Sequence, residues 1–208
     1  MDSRAHWESV YQAKRADEVS WFQRVPARSL DLIQHLAPDR SSRIIDVGGG
    51  ASTLADALLA TGYDALTVLD IAESALAQAR ARLGEEEARI RWIAGDVRTI
   101  ALPEAAFDIW HDRAVFHFLT DPGDRAAYVA QVLKAVRSGG HVVVATFAED
   151  GPAKCSGLPV MRYSAGALRR EFGDAFDLID VASELHTTPS RHSQSFVYCA
   201  FTATHHSM

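Results

Sequence analysis

Three consecutive glycines, Gly48-Gly49-Gly50, follow directly on the short apolar run Arg43-Ile44-Ile45-Asp46-Val47 and lead into the alanine-rich, helix-prone segment Thr53–Ala60. An apolar run, an acidic residue, a glycine cluster and a helix start together describe a buried parallel strand, a tight turn and a helix N-terminus. Without Cβ atoms the backbone turns sharply and lies directly against a ligand. The unpaired N–H groups at the helix start then face that ligand. A nucleotide-like ligand is therefore expected beside Gly48, Gly49 and Gly50. The hydroxyl of Ser52 is placed to accept an early helix N–H.

The remaining chain repeats this alternation. Strands are expected at Ala65–Asp70, Arg89–Ala94, Phe107–His111 and His141–Phe147, and helices at Glu73–Leu83, where Gly84 ends the helix, and at Asp124–Val136 behind Pro122. Two helices, Ala5–Arg15 and Pro26–His35, precede the first strand. Ala165–Phe172 reads as a helix, and Phe176–Ser183 and Ser195–Thr202 as a closing pair of strands. Alternating strands and helices predict a mostly parallel sheet covered on both faces. The expected fold is α/β, a Rossmann-like, doubly wound, three-layer α/β/α arrangement. The chain reads as one domain over residues 1–208, with an N-terminal helical lid (1–36), a cofactor-binding core (43–147) and a substrate-side loop with the C-terminal strands (148–204).

A dinucleotide fingerprint, Gly-x-Gly-x-x-Gly/Ala, fits Gly48 and Gly50 but places its third position on Thr53. Asp70, at the end of the second strand about twenty residues on, stands where a ribose-binding acid is expected. It serves NAD and S-adenosylmethionine equally, since both carry a ribose with two hydroxyls. Three further segments bear on the choice: Arg91-Trp92-Ile93-Ala94-Gly95-Asp96-Val97, Ala106-Phe107-Asp108-Ile109-Trp110-His111-Asp112, and Leu133-Lys134-Ala135-Val136-Arg137-Ser138-Gly139-Gly140. With these in order, the chain resembles a class I S-adenosylmethionine-dependent methyltransferase from about Arg43 to Phe147, roughly half its length. It departs from the family pattern at Ser52, in place of a third glycine, and at Ser138, in place of the proline of a Pro-Gly-Gly turn.

The resemblance implies that the closing strands complete a seven-stranded sheet whose last strand is antiparallel. It also implies S-adenosylmethionine as cofactor and assigns residues to it. Asp46, Gly48, Gly49 and Gly50 border the methionine portion, and Asp70 accepts from the ribose hydroxyls. Ile71 packs on the adenine, Asp96 and Val97 flank it, and Asp112 completes the set after strand four. Trp7 and Tyr11, one helical turn apart, and Trp21 resemble an aromatic lid that covers the cofactor and faces its cationic sulfur. Few apolar contacts are expected to hold that segment when no ligand is bound. Anchoring the helix to the sheet is an equal alternative for Trp7 and Tyr11. In the family, residues just after strand four border the transferred methyl, which makes His117 a candidate general base and Arg113 a clamp for an anionic substrate or an ion-pair partner of Asp112. Phe116 and Phe118 are expected in the core. The loop Glu149–Val160 and the stretch His186–His192 are expected near the substrate, with Cys155 either binding a soft substrate or chemically inert.

Bulk composition narrows the partners. A net charge of −6 disfavours a nucleic-acid backbone. Cys155 and Cys199, the only cysteines, lack metal-site spacing, so neither a metal nor a disulfide framework is expected. Met1–Trp7 has no apolar signal core, and no run approaches the ~20 residues that span a membrane. The expected protein is a cytoplasmic monomer or homodimer that methylates a small molecule, with no nucleic-acid or membrane partner. A protein-lysine methyltransferase is the nearest alternative. A non-catalytic cofactor-binding regulatory protein and a NAD(P)-dependent reductase, disfavoured by the missing third glycine, stand further off. His205-His206 reads as a disordered tail.

Overall fold

The computed structural model describes residues 3–204; the expected tail at His205-His206 lies outside them. Strands β1 (Ile44–Val47), β2 (Leu66–Asp70), β3 (Ile90–Ala94), β4 (Phe107–Arg113) and β5 (Val136–Phe147) run parallel. After a small hairpin, β6 (Lys154–Cys155) and β7 (Leu158–Pro159), come β8 (Phe176–Thr187) and β9 (Ser193–Ala203). The main sheet has seven strands in the order β3-β2-β1-β4-β5-β9-β8. Only β9 is antiparallel to its neighbours, inserted between β5 and the edge strand β8. Every residue of β1 and β2 is buried, as expected where helices cover both faces of a parallel sheet.

Helices α1 (Ser3–Ala13), α2 (Ala27–Leu36), α3 (Leu54–Ala60), α4 (Glu73–Leu83), α5 (Pro122–Ala135) and α6 (Ala165–Phe172) divide between the faces. Ile44, Val68 and Ile109 pack with Ile33 of α2, Leu58 of α3 and Leu76 of α4. The opposite set, Ile45, Val47 and Trp110, packs with Tyr128 and Val132 of α5 and with Leu168 and Phe172 of α6. Alternation along β1 and β4 thus assigns each residue to a face, and this decides which end-of-strand acids reach the ligand cleft.

Boundaries differ from expectation where local pairing intervenes. β5 begins at Val136, not His141, because Val136 pairs with Phe107 before the register shifts. Gly139, at φ +70°, takes the turn within that irregularity. β8 and β9 extend beyond the expected limits to Thr187 and from Ser193. The Gly/Pro-rich segment read as a loop contains the β6–β7 hairpin. Its two turn residues, Ser156 (φ +50°) and Gly157 (φ +78°), both have the positive φ of a tight type I′ turn.

α4 has no cap of its own, since Ala72 precedes it. Glu8 of α1 supplies one. Its Oε1 accepts from Glu73 N at 2.7 Å and its Oε2 from Ser74 N at 3.2 Å. Gln78 Nε2 donates to Tyr11 O at 2.6 Å, and Tyr11 is buried against Ala51, Ala72 and Ala75. The N-terminal segment is therefore latched by polar as well as apolar contacts, more firmly than its sequence indicates. Glu8→Ala removes a helix cap of about 1 kcal/mol. Amide exchange at residues 5–22 and at Glu73 and Ser74 is then expected to quicken roughly fivefold. Unchanged exchange in the variant would show that the aromatic packing alone holds the segment.

Candidate functional site

In an open α/β sheet, ligands bind beyond the carboxyl ends of the strands, and a cleft opens there between the sheet and α1. Trp7, Tyr11, Trp21, Gly48, Asp70, Ile71, Asp96, Val97 and Arg113 all line it. A smaller cavity adjoins it beneath the glycine turn, lined by Asp46, Gly49, Ser29 and His111, with Tyr11, Trp21, Gly48 and Arg113 shared between the two.

The glycines are required by contact as well as by conformation. Gly48 and Gly50 have φ of +68° and +31°. A Cβ on Gly48 would collide with the Val115 side chain, and one on Gly49 with Asp46 Oδ2. A Cβ on Gly50 would stand 2.5 Å from Asp70 Oδ2. The turn is thus packed directly onto the two acids that end β1 and β2. Ser52 Oγ accepts from Leu54 N at 3.1 Å, meeting the capping expectation one residue ahead of Thr53, which precedes the helix.

Asp70 is 6% exposed, and its Oδ1 accepts from Ala72 N at 2.8 Å. Burial pushes its carboxyl up to about 7; hydrogen bonding from Ala72 opposes the shift, and nearby Asp46 adds to it. A desolvated carboxyl facing a cleft is poised to take hydroxyl donors. Asp96 is differently placed. Arg98 holds its carboxylate through Nε at 2.9 Å to Oδ1, with the Arg98 amide also at 2.9 Å, and keeps it below the usual carboxylate range. Arg98 in turn pairs with Asp124 of α5 at 2.6 Å. Asp96 lines the cleft with most of its acceptor capacity already engaged.

Trp7, Tyr11, Trp21 and Phe118 form an aromatic wall over the cleft. Trp7 meets Phe118 at 5.0 Å and Trp21 at 5.7 Å between ring centroids, both edge to face. Phe118 was expected in the core with Phe116; the tight turn Phe116–Phe118 sends Phe116 inward and Phe118 to the cleft. Cys155, on β6, closes the far side. Burial pushes its thiol up to about 11, which keeps it protonated and unreactive, in agreement with the inert reading.

Two expected site residues are placed otherwise. Asp112 is fully buried and outside the cleft. In register it lies beside Val47, and Asp46 lies beside His111, so alternation turns Asp112 to the α5 face. There it accepts from Val115 N (2.8 Å), Phe116 N (3.0 Å) and Tyr128 Oη (2.6 Å). His117 is also fully buried and lines neither cavity. Its Nδ1 accepts from Phe147 N at 3.3 Å, and burial pushes its imidazole down to about 3. A histidine held neutral in the core takes no proton from a substrate. Arg113 does line the cleft, but its partners are Tyr198 Oη (2.9 Å), Trp21 O (3.1 Å) and, at 3.6 Å, Glu184, with Phe196 beneath the guanidinium. Asp112 is not among them. His186 donates to Ser20 O at 2.8 Å, and the loop after it borders a separate shallow groove with Arg24.

Residues missed in the sequence are Phe118, Arg98, Asp124, Ser29 and His111. Only His111 left a signal: counting inward from Phe107 places it on the same face as Ile109, the α2 side. Among the described residues no group of three or more His, Cys, Asp or Glu side chains could hold a metal, and no helix is long and apolar enough to cross a membrane.

Comparison with known proteins agrees with this geometry. A methyltransferase-domain family profile matches residues 44–140. A ubiquinone/menaquinone biosynthesis C-methyltransferase of Dinoroseobacter shibae is 29% identical over 121 residues, 57% of this chain and 47% of that protein. An uncharacterized methyltransferase of Mycobacterium bovis is 34% identical over 116 residues, 56% of each chain. The chain thus spans about half the length of the curated relatives it matches. The crystal structure of Burkholderia thailandensis 1,6-didemethyltoxoflavin-N1-methyltransferase, with 1,6-didemethyltoxoflavin and S-adenosylhomocysteine bound, superposes with a TM-score of 0.74. It is 23% identical, covering 97% of this chain and 87% of that one, and so shares the fold.

Proposed function

We propose that this chain, which matches a methyltransferase-domain family over residues 44–140, is a class I S-adenosylmethionine-dependent methyltransferase that methylates a nucleophilic atom of a small molecule. The observation that carries the reading is the buried Asp70 carboxyl packed against Gly50 at the mouth of an aromatic-walled cleft. The residues fit the cofactor. The space a Cβ on Gly50 would fill is the approach to Asp70, and Asp46 Oδ2 is buried with no hydrogen-bond partner.

When bound, S-adenosylmethionine supplies an electrophilic methyl carbon on a cationic sulfur. In this reading Asp70 accepts from the ribose hydroxyls through its two oxygens. Asp46 and the turn Gly48–Gly50 receive the aminoacyl end, and Ile71 and Val97 hold the adenine faces. Asp96, already gripped by Arg98, gives the adenine edge at most a weak additional acceptor. Trp7, Tyr11, Trp21 and Phe118 present π faces to positive charge and exclude water from the transfer path. Residues 1–36 serve as the roof of this site, 43–147 hold the cofactor, and 148–204 shape the acceptor side within one domain. Neither His117 nor Arg113 serves as the general base, since one is sequestered and the other is a cation.

The relatives' names, a quinone-biosynthesis C-methyltransferase and a toxoflavin N-methyltransferase, favour a small acceptor over a protein lysine. Two unpaired, buried cysteines accord with a cytoplasmic location. Thermal unfolding tests the reading. S-adenosylhomocysteine at about 100 times its Kd is expected to add about 2.7 kcal/mol to native stability, raising Tm by roughly 5–10 °C. NADH is expected to leave Tm unchanged. Stabilisation by NADH alone would overturn the assignment. A homocysteine-release screen over thiols, phenols, amines and activated ring carbons then identifies the acceptor.

A further inference from the structure

We propose that His111, backed by Ser29, is a positioning residue for the aminoacyl end of the methyl donor and acts through Asp46; this rests on the methyl-transfer reading above. Asp46 and His111 are register partners on β1 and β4, so both side chains lie on the α2 face. His111 Nδ1 is 2.7 Å from Asp46 Oδ1, and Nε2 is 2.9 Å from Ser29 Oγ of α2. The His111 and Asp46 side chains are 2% and 6% exposed, and Ser29 is equally buried. A carboxylate oxygen has no proton to give, so the ring N–H at Nδ1 donates to Oδ1. Nε2 pairs with the Ser29 hydroxyl. The chain Ser29–His111–Asp46 fixes the carboxyl plane from behind and uses only one of its oxygens.

The other oxygen, Oδ2, is buried without a hydrogen-bond partner and abuts the glycine turn at Gly49. Asp46 also lines the smaller cavity, which meets the main cleft at Gly48. A buried acceptor left unpaired is costly unless a ligand donor meets it, and an ammonium group is the donor of matching charge. Ser29, His111 and Asp46 superficially resemble the members of a nucleophilic triad. Here Ser29 lies outside the main cleft, and the unpaired oxygen belongs to the carboxylate, so the chain orients an acceptor and does not activate a nucleophile.

Calorimetry on the full chain with two ligands separates this role from a general structural one. S-adenosylhomocysteine and 5′-methylthioadenosine share the adenosine and the thioether sulfur, but only the first carries the ammonium and carboxylate. His111→Leu is expected to weaken S-adenosylhomocysteine by about tenfold or more, the worth of an oriented charged hydrogen bond, and methylthioadenosine by less than about twofold. His111→Asn, whose Nδ2 stands in for the ring Nδ1, is expected to stay within about threefold of the wild type for both. Ser29→Ala, a smaller perturbation of the core, is expected to weaken S-adenosylhomocysteine alone by about threefold to fivefold; it carries the test if His111→Leu does not fold. Equal losses for the two ligands, or an asparagine variant as weak as the leucine one, would overturn the positioning role. A wild-type protein that binds neither ligand would remove the methyl-transfer reading, and this proposal with it.

Discussion

Exchanging Asp70 for asparagine is expected to weaken S-adenosylhomocysteine binding by about two orders of magnitude without destabilising the unliganded protein. Each hydrogen bond from a ribose hydroxyl to the charged carboxylate is worth about 1.5–3 kcal/mol, and asparagine keeps one neutral acceptor for the Ala72 amide. The same residue predicts a pH dependence. Its carboxyl is raised by burial from 3.8 to about 7, so between about pH 4 and 7 the folded state holds a proton that the unfolded state has lost. Native stability from this group is therefore full below about pH 4 and is lost as pH rises through about 7. The asparagine variant, with no proton to exchange, lacks that slope. Binding runs the other way, because hydroxyl donors favour the ionised carboxylate. Affinity is expected to increase as pH rises through about 7, with up to one proton released per ligand bound at lower pH. Titration calorimetry in two buffers of different ionisation enthalpy measures that proton. Wild-type affinity in Asp70→Asn, or a pH-independent Kd, would remove Asp70 from the site.

Asp112→Ala is expected to have the largest effect on stability. The carboxyl accepts from two backbone amides and from Tyr128, which also accepts from Trp110 Nε1 at 2.9 Å. Trp110, Asp112, Phe116 and Tyr128 are all fully buried. Truncation leaves three donors without partners in a region closed to water, at a cost of roughly 3–5 kcal/mol. A protein of this size is expected to lose about 10 °C or more in Tm. Tyr128→Phe deletes one donor and strands Trp110 Nε1, for a smaller loss of about 1–3 kcal/mol. The measurement is denaturant unfolding of the unliganded chain. Losses near zero in Asp112→Ala, with cofactor affinity reduced instead, would return Asp112 to the cleft.

These two aspartates show how far the sequence reaches. Asp70 and Asp112 both end apolar strands in the expected fold, and both were expected at the cofactor. A strand run and its acidic end are local features, set by burial and turn chemistry within a few residues. The side of the sheet that each acid faces depends on register with a neighbouring strand. Asp112 aligns with Val47 and turns toward α5, whereas Asp46 aligns with His111. One residue of slip would exchange them. The Gly48–Gly50 turn was legible for the opposite reason: positive φ and close packing against Asp46 and Asp70 leave no room for a side chain, and a sequence records that directly.

The N-terminal aromatics were legible as a group because Trp7 and Tyr11 share a helix face. Their fastening was not, since Glu8 caps a helix that begins at Glu73, far along the chain. Arg113 is similar. Its partners Glu184 and Tyr198 lie on β8 and β9, and nothing local to Arg113 selects them over adjacent Asp112. The sequence by itself determined the alternating α/β fold, the closing pair of strands, the glycine cradle and the acid that ends β2. Each follows from hydrophobic periodicity or from backbone conformations that only certain residues adopt. Tertiary structure alone decided which buried acids line the cleft and its adjoining cavity and which face the core, that His117 is sealed away, and that His111 stands behind Asp46. Those outcomes depend on strand register and on long-range packing, in which residues distant in the chain compete for the same hydrogen bonds.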